Sequence, residues 1–300
     1  MDSRADVSVV FETENEGPKR RIRLADVMAA WRRQTSAERV LEWIVVAPRR
    51  PTAEEERLMN GVPARWIERG DLRYFDQKQH GVLESRGRYV ALADSDARPD
   101  EDWLERALEV LDGGDPRIAL VTGRTHYLPG PFSREVTIAQ LPNQHSSARD
   151  TTHFLAHNAM LRTEIVQRIG FEGGHVRLGA STDLAERLIA GGYRVRYEPR
   201  LRATHNYAER FGQLWKHFVV IGYADAVFRS FRGGKHPSLL WEGVGRMRVL
   251  GRRLWELRLE AGIPNRRVPL SLLFYVYFTV AHAVGSARGR KRLPEPFADF

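Results

Sequence analysis

Three hundred residues, 42% hydrophobic and 28% charged, suffice for one large domain or a domain with an extension, and exclude a disordered tail. Cysteine is absent, which excludes a disulfide framework, a thiol nucleophile and a cysteine zinc site. The net charge of +9 is uneven: residues 201–300 hold 17 Lys/Arg against 7 Asp/Glu, and residues 1–200 hold 30 against 31, so the basic surface belongs to the last third.

The opening Met1–Asp6 has no apolar core, so no secretory leader is expected there. Val7–Phe11 is a short apolar run that predicts a buried strand, and Leu24, Val27, Met28 and Trp31 follow at helical spacing. Leu41–Ala47 predicts a second strand, stopped by Pro48, with further strands at 88–93 and 118–122. Pro99, with Asp100, Glu101 and Asp102 behind it, predicts a helix start. Trp103, Leu104, Ala107, Leu108 and Leu111 would form its apolar face, and Gly113-Gly114 its end. Residues 126–152 carry three prolines and little periodicity, which predicts a long loop. A helix over about 184–190 and a strand over 193–197 follow. Trp215, His217 and Tyr223, at helical spacings, read as core or acceptor-cleft lining.

From Leu239 to Leu259 the pattern is amphipathic and basic. Leu240, Val244, Met247, Leu250, Leu254 and Leu257 line one side, among several arginines. Residues 268–287 hold no Asp, Glu, Lys or Arg, and Arg288, Arg290, Lys291 and Arg292 flank them. That stretch is close to the ~20 residues a bilayer span needs. Pro269, Ser271, Thr279 and His282 favour an interfacial or protein-packed helix over a span. Strands alternating with helices predict an α/β fold with a largely parallel, Rossmann-like mixed sheet flanked by helices. Residues 1–230 would form the main domain and 231–300 a basic helical C-terminal extension.

The chemistry concentrates where the 88–93 strand runs into Asp94-Ser95-Asp96. Ligands of open α/β sheets bind beyond the carboxyl ends of strands. Two carboxylates there suit Mg²⁺ or Mn²⁺ bridging the phosphates of a nucleotide. The rival reading of an Asp-x-Asp is a solvated turn or helix cap; the strand before it and the acidic helix after it make this one more specific.

With its surroundings this segment resembles the family-2 glycosyltransferases of the GT-A fold. Lys78, Gln79, Gly81, Gly87, Asp94, Asp96, Pro99 and Trp103 fall in register with that family's Arg/Lys-Asn-x-Gly, small-Gly and Asp-x-Asp run. Gln79 stands where Asn is usual. The first strand with Thr13 and Asn15 looks like the family's opening turn, with Glu12 in place of Pro. His157 to Arg162, then Ile169-Gly170-Phe171, look like its Asn-x-x-x-Arg and Gly-Phe segments. Asp183-Leu184, Arg187-Leu188, Gly192 to Val195, Pro199 and His205 match the end of the catalytic domain. The resemblance covers about residues 5–230.

The resemblance implies transfer of a sugar from a nucleotide-sugar donor to an acceptor hydroxyl, with inversion and with Mn²⁺ or Mg²⁺. Phe11, Glu12, Thr13, Lys78, Asp94, Ser95, Asn158 and Arg162 would bind the donor, and Asp94, Asp96 and His205 the metal. Two departures stand out. Ala47-Pro48-Arg49-Arg50 replaces the Asp-rich turn that helps read the base, so the base is open. Ala180-Ser181 replaces the Glu-Asp pair that supplies the general base, leaving Asp183 as base or, with Glu186, as a capping box. Glu172 is a remote reserve, and Arg162 has an ion pair with Glu164 as its alternative.

The competing functions are a degenerate GT-A module that binds nucleotide or glycan without turnover, a nucleic-acid binder, and a nucleotidyltransferase. The third lacks its Gly-rich loop, and the basic charge follows an amphipathic helix rather than a nucleic-acid face, so no nucleic-acid partner is expected. The acceptor is a glycan, a lipid-linked molecule or a small molecule. The expected setting is cytoplasmic, with the basic tail peripheral at the inner face of a membrane or, alternatively, packed internally or in a homodimer.

Overall fold

The computed structural model describes residues 5–15, 20–130, 132–140, 145–171, 180–206, 210–231 and 233–291. In chain order, β1 (Val7–Glu12), α1 (Leu24–Arg32), β2 (Val40–Ala47), α2 (Ala53–Met59), β3 (Ala64–Glu68) and α3 (Tyr74–Glu84) lead to β4 (Tyr89–Asp94) and β5 (Ala97–Pro99). Then come α4 (Trp103–Asp112), β6 (Ile118–Tyr127), α5 (Ser133–Gln140), β7 (Arg149–Asp150), β8 (Ala159–Arg162), α6 (Thr163–Ile169), α7 (Ala180–Ala190) and β9 (Arg194–His205). The chain ends in α8 (Phe211–Phe231), α9 (Leu239–Leu257) and α10 (Val268–Gly289).

Two compact units result. The first comprises Met1–His126, His145–Gly173 and Ser181–Asn206. Its sheet runs β3-β2-β1-β4-β8-β6-β9-β5, with β7 on β9. β1 to β4 are parallel, and β8 enters antiparallel between β4 and β6. Every residue of β1 and β4 is buried, which is why their sequences read as unbroken apolar runs rather than alternating ones. Phe11 packs edge-on against Trp31 of α1 and Trp43 of β2, and Trp31 in turn meets Trp103 of α4 at 5.2 Å.

Pro99 does not start a helix. It ends β5, paired with Ala203 of β9, and α4 begins at Trp103 with Asp102 as its N-cap residue; the expected apolar face is buried. The acidic residues 100–102 therefore belong to the turn between sheet and helix. The 126–152 stretch is also more structured than its composition suggests. β6 extends to Tyr127, and α5 forms because Val136, Ile138 and Ala139 join an apolar core.

The second unit comprises Tyr127–Gln144, Gly174–Ala180 and Tyr207–Phe300. α8 therefore groups with the C-terminal helices, whereas the sequence division at 230 would leave it with the main domain. Phe218, Leu250, Leu254, Phe274 and Phe278 form its core. Trp215 of α8 packs against Tyr277 of α10, as a core reading of Trp215 expects. α10 is long and apolar enough to cross a membrane, and 44% of its most apolar window is buried within the protein. α9 splits the expected stripe: Leu250, Leu254 and Leu257 face the core, whereas Leu240 and Val244 are exposed.

Candidate active site

Sheet register assembles the site. Glu12 at the end of β1 pairs with Asp94 at the end of β4. In the antiparallel β4–β8 ladder Leu92 pairs with Ala159, and the same register continued by two residues sets His157 opposite Asp94. In the β5–β9 ladder Ala97 pairs with His205, which brings that ring beside Asp96. Four residues from distant parts of the chain thus converge because three strand pairs end at one place.

Asp94, His157 and His205 each place a ligand-type atom within 4.8 Å of the others. The two imidazole rings lie 4.6 Å apart. His205 Nδ1 donates to the Asn206 carbonyl at 2.8 Å, and this directs Nε2 toward Asp96 Oδ1 at 3.3 Å. A backbone carbonyl on one ring nitrogen fixes the tautomer that offers the other as a ligand. Loss of solvent, aided by the neighbouring His205, takes the His157 pKa down to about 3, so this imidazole is neutral.

Asp96 supplies the test of whether a cation belongs here. It is 1% exposed, and among the described residues neither carboxylate oxygen receives a well-formed hydrogen bond. Its neighbours are His205, the Asn206 side chain and, at 3.4 Å, the Arg20 guanidinium, all of which favour its charge. Burial pushes its carboxyl up, and Asp94 adds to the rise. A buried carboxylate without hydrogen bonds is costly unless a cation meets it. Carboxylate oxygens with neutral imidazoles make a donor set that suits Mn²⁺. The residues present fit a divalent metal.

Asp94 has the opposite environment. Burial disfavours its charge, but Lys78 outweighs that, with help from His157 and His205, and holds the carboxyl below its usual range. Lys78, fully buried on α3, places Nζ 2.5 Å from Asp94 Oδ1. Tyr74, one turn earlier, donates its hydroxyl to Asp94 Oδ2 at 2.8 Å, and its ring lies 4.7 Å from the Lys78 ammonium. Beside them Glu12 is buried. That burial and the Asp94 charge push its carboxyl well above the usual value. Its oxygens accept from the Glu14 backbone N–H and the Asn15 side chain, so it shapes the turn after β1.

A cleft of about 660 Å³ opens beside the β1, β2 and β3 ends, lined by Thr13, Glu14, Pro48, Arg49, Asp71 and Arg73 among others. Thr13 is anchored at its rim, its N–H on Gln77 and its hydroxyl on the Val46 carbonyl. Arg49, from the turn that departs from the family pattern, pairs with Glu55 at 2.7 Å and lies over the Trp66 ring.

The other sequence candidates have their own surroundings. The Phe11 side chain is in the core. Ser95 is buried beside the two aspartates, with its N–H on the Glu12 carbonyl. Asn158 is a buried hub that accepts from the Trp103 indole and donates to the Arg124 carbonyl and Thr125. Arg162 donates to the carbonyls of Ile118 and Leu111 rather than forming the alternative pair with Glu164. Asp183 is not an N-cap, because α7 already begins at Ala180; its carboxylate accepts from Arg187 at 2.7 Å, one turn on. Arg187 in turn binds the Ile169 and Gly170 carbonyls. Glu172 lies outside the described residues. His157 and Tyr74 are the site residues that sequence reasoning missed.

Comparison with known proteins agrees with this geometry. Residues 63–170 match the glycosyl transferase family 2 model. The glycosyltransferase AglE of Haloferax volcanii is 24% identical over 182 residues, 59% of this chain and 55% of that protein; the chain thus spans about half of that relative's length. The mannosyltransferase PcManGT from Pyrobaculum calidifontis, solved with GDP-Man and Mn²⁺, superposes with a TM-score of 0.63 at 15% identity, over 95% of this chain and 87% of that one. GalNAc-T7, solved with UDP, GalNAc and Mn²⁺, superposes with a TM-score of 0.56 at 13% identity, over 78% and 51%. Residues 63–170 thus carry a likeness to glycosyl transferase family 2, and the superpositions show that the chain has the GT-A fold.

Proposed function

We propose that this protein transfers a sugar from a nucleotide-sugar to an acceptor hydroxyl, with a divalent metal at Asp94, Asp96, His157 and His205. The observation that carries the reading is the pair of unsatisfied Asp96 oxygens beside the Asp94–His157–His205 cluster. A bound Mn²⁺ or Mg²⁺ supplies positive charge against the diphosphate as it leaves. The Thr13–Arg73 cleft holds the nucleotide. In the inverting reaction the acceptor oxygen bonds to the anomeric carbon, the bond from that carbon to the diphosphate oxygen breaks, and the acceptor proton passes to a base. Asp183 is that base in this reading, as the carboxylate retained closest to Ala180-Ser181. The acceptor is a glycan, a lipid-linked molecule or a small hydroxyl compound.

Structural relatives hold GDP-Man in one case and UDP in another, so the donor panel spans both bases. The test incubates the protein with GDP-mannose and a set of UDP-sugars, with Mn²⁺, Mg²⁺ or chelator, and reads released nucleoside diphosphate. Metal-dependent release with one donor is expected. The second reading is a binding module without turnover, favoured by Ala180-Ser181 in place of the acidic pair. Nucleotide binding without release across the panel would establish it.

A further inference from the structure

The described residues of the helical unit leave an apolar surface exposed. α9 meets the core of this unit through Leu250, Leu254 and Leu257, all nearly inaccessible. Its other side should therefore be polar. It is not. Trp241 is 70% exposed, Trp255 65% and Leu259 72%, and exposed Val244, Arg248 and Arg252 lie between them. These six recur at three- and four-residue intervals, so they form one stripe along the helix and its continuation. The two tryptophans are about 21 Å apart along the axis at 1.5 Å per residue. Isolated exposed apolar residues need no explanation, but a continuous stripe with two tryptophans marks a contact surface.

Composition selects the partner. Tryptophan beside arginine on an exposed amphipathic helix is what the headgroup region of a bilayer accommodates: the indoles enter the interface and the guanidiniums meet lipid phosphates. Arg258 stacks on the Trp255 ring at 3.8 Å, adding a cation at that end. Glu256 and Glu260 are exposed acidic residues near this face, and Arg252 approaches Glu256 at 3.8 Å. The net charge of this last third is positive, 17 Lys/Arg against 7 Asp/Glu. Leu273, Val276 and Val280 of the neighbouring α10 are also exposed, with exposed Arg288 beyond them. A face that is basic as well as apolar matches anionic lipid better than a second copy of itself, whose arginines would oppose one another.

We propose that the outer face of α9 docks the protein on an anionic membrane surface, with Trp241 and Trp255 as interfacial anchors and Arg248 and Arg252 as headgroup contacts. This does not depend on the catalytic reading. The test is co-sedimentation of the full chain with phosphatidylcholine vesicles, with and without phosphatidylglycerol, at low and high salt. Binding is expected with the anionic vesicles and should weaken as salt rises. Trp241→Ala/Trp255→Ala should bind roughly tenfold more weakly. Arg248→Gln/Arg252→Gln should remove the preference for anionic lipid. All four side chains are exposed, so the melting temperature should be unchanged and a binding loss cannot be ascribed to unfolding. No vesicle binding, equal binding to neutral and anionic vesicles, or full binding by the tryptophan variant overturns the proposal. Light scattering is run in parallel: a dimer that the tryptophan variant abolishes, without vesicle binding, assigns the face to self-association instead.

Discussion

Lys78 and Asp94 form a fully buried ion pair, with one member on a helix and the other at the end of the central strand. Neither side chain has solvent to fall back on, and buried Glu12 stands beside Asp94 in strand register. The pair therefore decides whether the carboxyl end of β4 can carry charge at all. Replacing one member leaves the other uncompensated, which in buried pairs costs about 3–5 kcal/mol. Lys78→Met should lose about that much stability in urea unfolding. Lys78→Met combined with Asp94→Asn should recover much of it, because the orphaned charge is gone. Additive losses would show that the two residues act independently.

Asp96 makes the converse case. Among the described residues its buried oxygens have no well-formed hydrogen bond, only the longer approaches of His205 at 3.3 Å and Arg20 at 3.4 Å, so the metal-free fold gains little from its charge. Asp96→Asn should leave the metal-free melting temperature unchanged or higher. It should also abolish the increase that Mn²⁺ gives the parent protein, an increase set by ligand occupancy. Calorimetry of nucleotide binding with and without chelator gives the second readout. A variant that still binds nucleotide in a Mn²⁺-dependent manner would remove Asp96 from the metal site.

The residues of this cluster differ in how visible they are in the sequence. Asp94 and Asp96 stand out because a run of buried apolar residues delivers them to a strand end, and β1, β2 and β4 are legible for the same reason. α3 is harder to read: it is largely polar, and only Phe75, Gln77, Lys78, Gly81 and Val82 are buried, so Lys78 gives no hint of its 0% exposure. His157 is hidden in the sequence for a topological reason. It lies 63 positions from Asp94, and only the insertion of β8 between β4 and β6 brings it across. The local signal was the short apolar segment 159–161 directly after it, too brief to be recognised as a central strand.

Asp183 is tied to Arg187, and Arg187 to the Ile169–Gly170 carbonyls. Catalytic and structural roles therefore predict different losses. Asp183→Asn keeps the shape and retains an acceptor for Arg187. As a general base it should lose about 10²–10⁴ in transfer rate with a melting temperature close to the parent's. As a tether it should show a lowered melting temperature and near-parental turnover. Arg187→Gln is the control, since it breaks the tether while leaving the carboxylate in place.

In the helical unit, α8 and α10 approach one another so closely that glycine is needed at the crossing. A Cβ on Gly285 would fall 1.9 Å from the Val219 carbonyl oxygen, and one on Gly222 would fall 2.0 Å from that of His282. Both obstacles are backbone, which cannot swing aside as a side-chain tip can. Gly285→Ala must therefore separate the helices and loosen the packing around Phe218 and Phe278, whose rings lie 4.4 Å apart. Overpacking of this kind costs about 1–3 kcal/mol or more. Gly251 provides the opposite case within α9, because among the described residues a Cβ there meets nothing within 4 Å beyond its own helix. Gly251→Ala should stabilise by about 0.8–1 kcal/mol, the ordinary helix-propensity difference. Thermal unfolding of the two variants under the same conditions checks the contrast. If Gly285→Ala proved as benign as Gly251→Ala, the close backbone approach of α8 and α10 would be wrong, whatever the rest of the helical unit did.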